Sequence, residues 1–406
     1  MSEKLPRLRH VLDVFPSPVA DQPGLLLRDP FRYAEEILII PPLFVNGLRL
    51  LDGKHTEAEM QEYLARELGR PFPIHPLREF IEVLSENGFL ETVEFHARRD
   101  RKHAEFAAQP FRLPAHAGAA YPETDKTLRA KFDEYLWTVI PPKPDPIIGI
   151  AAPHVSPEGG WECYAAAYNR LRGMKEQIRG KTIVILGTSH YGEPETFGLT
   201  RKPFQTPLGT VETDTAMVDW LVKRAPQSIR MEDYCHVVEH SIEFQVVFLQ
   251  QMLGHDFKIL PVLCGGFWKT FETGQAPETQ DQLRAFFDAL GELGEQRGDS
   301  LFWVLGIDLA HIGRRYGDPL DAAAESGFML EVHHADEHRL EHVCDNNKEA
   351  FLDMVLPEND PLKWCGFTPV YTFMQCVPHA RGKVLKYDQW NIDEHSVVSF
   401  TAMEFA

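Results

Sequence analysis

Three short segments each place a histidine where an apolar run gives way to turn residues: Ala151-Ala152-Pro153-His154, Thr188-Ser189-His190 and Glu239-His240-Ser241. Imidazole combines a near-neutral pKa with good metal-ligand chemistry, so three of them in one cleft would bind a metal or transfer protons. Asp308-Leu309-Ala310-His311 stands in a similar place and adds a carboxylate and another imidazole. A competing arrangement is His236-Val237-Val238-Glu239-His240, the H-x-x-E-H pattern of inverted zinc metallopeptidases. That chemistry needs both histidines on one helical face, with the glutamate beside the metal-bound water. The apolar periodicity here starts only after Ser241, which puts His236 outside the helix. His334, His338 and His342 repeat every fourth residue, but the intervening Asp336, Glu337, Arg339 and Glu341 mark a solvated helix face. Cys365-Gly366 is either a thiol at a tight turn or a buried cysteine. Gly159-Gly160 and Pro207-Leu208-Gly209 carry no phosphate-loop pattern and read as cleft-lining turns.

The elements that must position these residues fall into two regions, 1–105 and 106–406. In the first, Glu36 to Ile40 is a short strand and Asp52-Gly53 a turn. Thr56 and Glu59 have capping-box spacing for a helix carrying Met60, Tyr63 and Leu64. A second helix starts near Pro76, buries Leu77, Phe80, Ile81 and Leu84, and stops at Asn87-Gly88. Phe89 to Phe95 alternates as a strand, and a basic linker, Arg98-Arg99-Asp100-Arg101-Lys102, follows. Strand, helix, helix, strand is the order of a small winged-helix-like α+β module. The segment Leu50 to Thr56 resembles the peptide-chaperone-like winged helices that bind precursor peptides, so the implied partner of this module is a peptide.

Beyond Pro110 apolar strands alternate with helices. Ile147–Ala152, Thr182–Leu186, Ile259–Cys264 and Leu301–Ile307 read as buried strands, Ala165–Leu171 as a helix, and Ser241–Leu253 as an amphipathic helix. Continuous apolar strands of this kind form a largely parallel or mixed sheet covered by helices, an α/β fold whose function gathers at the carboxyl ends of the strands. His154, His190 and the Asp308–His311 segment all fall just past such ends, which groups them.

Composition narrows the partners. The 406 residues exceed what one core usually fills. With 44% hydrophobic and 25% charged residues the chain is of ordinary globular composition. A net charge of −19 opposes phosphate backbones, so no nucleic-acid partner is expected. No apolar run reaches the roughly 20 residues a bilayer requires, and the amino terminus has no signal-peptide profile. Six scattered cysteines without a CxxC pair imply reduced thiols, and a cytoplasmic protein with no membrane partner is the expectation.

From Arg112 nearly to the end the chain resembles the Memo family, also known as AmmeMemoRadiSam system protein B. The resemblance is carried by Arg112 to Pro122, Pro153-His154, Leu186 to His190 and Thr206-Pro207-Leu208-Gly209 followed by Asp214. It continues through Glu239 to Glu243, Asp308 to His311, and Cys365-Gly366. Memo proteins are similar in turn to class III extradiol dioxygenases, which hold non-haem Fe(II) with two histidines and a carboxylate. By that resemblance His154 and His190 are the histidine ligands, and His240 is a third ligand or an acid/base. Asp308 or Glu243 is the nearest carboxylate, and His240, His311 and Asp308 are the implied catalytic residues. Thr206, Gly209 and Glu243 are the implied substrate-cleft residues. Fe(II) is the implied cofactor, with copper or zinc as alternatives. Ala310 stands where some relatives have cysteine, so that position offers no thiolate for a copper site. The family name implies association with AMMECR1-like and radical-SAM proteins. The functions left open are a metal-dependent, dioxygenase-like oxidoreductase, a non-catalytic peptide- or protein-binding adaptor, and a zinc peptidase using His236, Glu239 and His240.

Overall fold

The computed structural model describes residues 4–137 and 146–406. Its backbone contacts divide the chain into two units, Met1–Gln109 and Pro110–Ala406. In the first unit β1 (Asp13–Pro16), β2 (Leu25–Arg28) and β3 (Leu38–Ile40) form an antiparallel sheet in that order. The Glu57–Leu68 helix opens on the capping box: the Thr56 hydroxyl accepts from the Glu59 N–H, and the Glu59 carboxylate accepts from the Thr56 N–H at 2.7 Å. Met60 and Leu64 share one core with Leu77, Phe80 and Leu84 of the Ile74–Glu86 helix.

The expected strand over Phe89–Phe95 does not form. Phe89 and Leu90 are buried, and Leu90 bridges to Leu8. The Thr92 hydroxyl then accepts from the Phe95 N–H at 3.2 Å and opens a helix, Val93–Ala108. Alternation over seven residues fits a capped helix entry as well as a strand, and the cap decides between them. Arg98 to Lys102 is therefore mid-helix rather than a linker.

The second unit is built on β4 (Gly149–Ala152), β5 (Thr182–Thr188), β6 (Phe197–Leu199), β7 (Phe204–Thr206), β8 (Gly209–Thr213) and β9 (Ile229–Met231). It continues with β10 (Lys258–Cys264), β11 (Leu301–Gly306), β12 (Asp308–Gly313), β13 (Gly382–Asp393) and β14 (Ser396–Phe405). Strands β4, β11, β5 and β10 lie side by side in that order and run parallel. They are buried nearly throughout, as strands covered on both faces are. Antiparallel β14 and β12 extend one side and β6 the other, so the sheet is mixed. The Pro157–Tyr168 and Glu243–Leu253 helices pack on each other and on the sheet, as do Asp281–Arg297 and Phe367–Cys376. Among the described residues no helix is long and apolar enough to cross a membrane.

Two expectations change in detail. The Glu243–Leu253 helix is not amphipathic, because every residue from Glu243 to Gln250 is buried. Asp308 to His311 is not a loop beyond a strand; it begins β12, which turns back to pair with β14.

Register explains why distant histidines meet. Gly306 of β11 pairs with Ala152 of β4 on one side and Gly187 of β5 on the other. His154 follows Ala152 by two residues, Asp308 follows Gly306 by two, and His190 follows Gly187 by three. Adjacent strands lie about 4.8 Å apart, so these side chains emerge together at one end of the sheet.

Candidate metal centre

His240 reaches the same place by another route. The Ser241 hydroxyl donates to the Thr188 carbonyl at 2.8 Å, laying this segment over the ends of β5 and β11. A Cβ at Gly306 or Gly187 would run into Ser241, so only glycine lets the segment come so close. The buried Arg112 guanidinium donates to the carbonyls of His236 and Glu239, each at 2.7 Å, and holds the segment from the other side.

Each imidazole is tied at Nδ1. That of His154 donates to the Gly306 carbonyl at 2.9 Å. His190 and His240 both face Glu239 Oε1, at 3.0 and 3.2 Å. Glu239, only 2% exposed, also accepts the backbone N–H groups of His190 and His240, each at 2.9 Å. One carboxylate thus orients two rings, leaving Nε2 of each as the remaining nitrogen. The ring centroids lie 5.0 Å (His154–His190), 5.2 Å (His154–His240) and 4.9 Å (His190–His240) apart. One ligand atom from each of the three lies within 4.8 Å of the others, a spread that an ion with metal–nitrogen bonds of about 2.1 Å closes with small side-chain shifts. Burial, with the neighbouring His190 and His240, pushes His154 down to about 4, so its ring is neutral and its lone pair available near pH 7. Burial also disfavours the charge on His190, but the Glu239 carboxylate outweighs it and raises that pKa. Burial opposes the Glu239 charge too, yet His190 and His240 hold it well below the usual carboxylate range.

A second donor group shares His154. Asp308 Oδ1 accepts from the N–H groups of His154 and Val155 at 2.9 and 3.1 Å, and Oδ2 lies 3.5 Å from His154 Nε2. Cys365 Sγ approaches the same Nε2 to 3.1 Å. His154, Asp308 and Cys365 offer ligand atoms within 4.8 Å of one another. The sulfur that Ala310 of β12 does not supply therefore enters from the loop that carries Cys365. Burial and the Asp308 charge push the Cys365 thiol well above its usual pKa, so a thiolate here needs a cation beside it.

The remaining candidates lie as follows. His311 donates from Nδ1 to the Leu309 carbonyl at 3.0 Å, stands edge-on to Tyr316, and is pushed down by burial; it belongs to neither donor group. Glu243 belongs to neither donor group. Its buried carboxylate pairs with Arg112 and accepts from the Tyr121 hydroxyl and the N–H groups of Ala115 and His116. Thr206 and Gly209 form the β7–β8 turn, where the Thr206 hydroxyl donates to Gln250 Oε1 at 2.6 Å. His236 sits in a one-turn helix, Cys235–Val238, that ends at an extended Glu239, so it shares no helical face with His240. Its Nε2 donates instead to the Gly198 carbonyl at 3.1 Å. His334 and His338 are solvent-exposed on the Phe328–Cys344 helix, but Asp336 and Arg339, expected on the same solvated face, are buried. Sequence reasoning missed two participants. Glu239 stood in the peptidase pattern and Cys365 as a turn thiol or a buried cysteine, and although both lie in motifs of the Memo resemblance, neither was assigned a role beside His154 and His190.

A mixed α/β sheet with imidazoles, a carboxylate and a thiol gathered at its carboxyl end defines a protein with a candidate metal centre. Residues 112–404 match the model of the Memo-like proteins, and the chain belongs to that family. A MEMO1 family protein of Aquifex aeolicus is 24% identical over 385 residues, covering 94% of this chain and 95% of its own. That alignment therefore extends into the amino-terminal unit. A MEMO1 family protein of Thermus thermophilus is 26% identical over 340 residues, covering 83% and 94% of the two chains. Among solved structures, an uncharacterized protein of Escherichia coli K12 covers 64% of this chain and 99% of its own at 10% identity and a TM-score of 0.34.

Proposed function

We propose that this chain is a cytoplasmic metal-dependent oxidoreductase of the dioxygenase kind. The observation that supports this reading is the set of three imidazoles each tied at Nδ1, with their remaining nitrogens converging. His154 and His190 would hold the ion, with Asp308, 3.5 Å from His154 Nε2, as the nearest carboxylate, and Fe(II) suits such a two-histidine, one-carboxylate set. Cys365 adds a soft donor on the same side, which keeps copper as an alternative. The chemistry such an ion supplies is Lewis-acid polarisation and electron exchange with dioxygen. His240 would act as acid or base at Nε2, with Glu239 orienting its ring through Nδ1. The buried, neutral His154 keeps its lone pair free of protons. The test is anaerobic purification and metal quantification of the native chain, His154→Ala and His190→Ala. Stoichiometric iron or copper lost in both variants is the expected result; metal-free protein that folds equally well in all three overturns the reading.

A second reading, a non-catalytic adaptor in a radical-SAM-associated pathway, is favoured by a groove in the amino-terminal unit. Leu8, Leu12, Val14 and Leu48 line this groove of about 520 Å³, with Arg7 and Lys54 also among its walls. Its occupant on this reading is an acidic, aliphatic peptide. Arg7→Glu with Lys54→Glu in the full chain would abolish binding of such a peptide, and unchanged binding rules it out.

A further inference from the structure

The loop that carries Cys365 is conformationally expensive. Glu358, Asn359, Asp360 and Lys363 all adopt positive φ, between 53° and 58°, and none is glycine. Each such conformation is disfavoured for a residue with a Cβ and persists only where its surroundings impose it. Those surroundings are a buried polar network. The Asp360 carboxylate accepts from the N–H groups of Leu362 (3.1 Å) and Trp364 (2.7 Å) and pairs with the buried Arg339 at 2.8 Å. The Trp364 indole N–H donates to Asp336 Oδ1 at 2.6 Å. Asp336 Oδ2 accepts from the hydroxyls of Tyr387 (2.8 Å) and Ser399 (2.6 Å). The Ser399 oxygen in turn accepts from the Ala310 N–H at 2.9 Å, between Asp308 and His311.

Asp336 is thus a node with two arms. One runs through Trp364 to its chain neighbour Cys365. The other runs through Ser399 to β12, whose Asp308 carbonyl lies 3.7 Å from Cys365 Sγ and accepts from the Gly366 N–H at 3.0 Å. Asp336 itself is fully buried. A buried carboxylate stabilises a fold poorly compared with apolar packing, but it specifies one arrangement of the groups around it.

We propose that Asp336 is a positioning residue for the Cys365 thiol, fixing through Trp364 and Ser399 the approach of Sγ to His154. The inference rests on the metal reading only in that it gives Cys365 something to ligate, and its test separates the two. Asp336→Asn, Trp364→Phe and Ser399→Ala are made in the full chain with Cys344→Ser, which removes the other partly exposed thiol. Cobalt(II) is the metal probe, and iodoacetamide alkylation of Cys365 in metal-free protein is the independent one. The expected result in folded variants is a weakened sulfur-to-cobalt charge-transfer band with the imidazole-ligand bands retained, and cobalt affinity lowered by less than tenfold. Alkylation of Cys365 is expected to be roughly tenfold faster once the loop is released. An unchanged charge-transfer band together with an unchanged alkylation rate in folded variants overturns the proposal. Should the native chain take up no cobalt, the metal reading fails and alkylation alone decides this one. Ser399→Ala deletes a single hydroxyl and serves where the Asp336 variant does not fold.

Discussion

The imidazole side and the sulfur side of the centre are built by opposite means. His190 and His240 converge because strand ends in register and one buried carboxylate, Glu239, leave them no other orientation. Cys365 is held by a loop with four positive-φ residues, braced from three directions by Asp360, Asp336 and Arg339. One side is regular structure ending in a ligand; the other is irregular structure maintained by buried polar groups. The first should tolerate little change in backbone and the second little change in hydrogen bonding.

The largest effect is expected where both sides share a support. Gly306 accepts the His154 Nδ1 proton through its carbonyl and lies against Ser241, so Gly306→Ala drives a methyl into backbone with no room to move. A cost of about 3 kcal/mol in chemical denaturation, with loss of metal from both donor groups, is the expected result. A fully stable, metal-binding variant would break the account of how the strands position the site. Next, Glu239→Gln keeps the shape but puts an amide where two imidazole nitrogens need an acceptor. Metal affinity should fall roughly 10- to 100-fold in chelator competition, with the sulfur-to-cobalt band retained.

The difference between the sides also governs what could be read from sequence. His154 and His190 were legible because each ends a run of apolar residues, and strand ends are where such folds place function. That β11 lies between β4 and β5 was not legible, since strand order depends on packing across more than a hundred residues. The pairing of Glu243 was not legible because its partner Arg112 lies 131 residues away, so nothing local marks the carboxylate as already paired. Cys365 was illegible for a different reason. Positive φ at Glu358 and Lys363 contradicts local preference, and only the tertiary network around Asp336 overrides it. The misreading of Phe89–Phe95 was local, a strand alternation overruled by one Thr92 cap.

His236 sharpens the imidazole side by standing next to it without belonging to it. Burial, followed by the Arg112 charge, pushes its pKa down to about 4, against about 6.5 when unfolded. The folded state then binds fewer protons than the unfolded state between these values. This residue therefore costs nothing above pH 6.5, and stability falls as pH drops from there towards 4. At pH 5 the penalty is about 2 kcal/mol. His236→Gln should shrink the difference in unfolding free energy between pH 7 and pH 5 by about that amount and leave metal content untouched. Loss of metal in this variant would instead revive the peptidase arrangement.

The smallest expected effect is also the sharpest for the comparison. Cys365→Ser keeps a side chain of similar size that still faces His154 Nε2, so the loop and its network should survive. A hydroxyl is a poor ligand for a soft metal, and the sulfur-to-cobalt band should vanish. The imidazoles and Asp308 remain, however, and they are the donors a hard or borderline ion prefers. Cobalt(II) or Fe(II) affinity should therefore drop by less than tenfold, under about 1.4 kcal/mol, while copper(I) affinity falls further. If the serine variant instead loses as much cobalt(II) affinity as Glu239→Gln, sulfur is a principal ligand and the two sides form a single mixed site. Equal losses would mean that the strained loop, rather than the strand ends, decides which metal this centre takes.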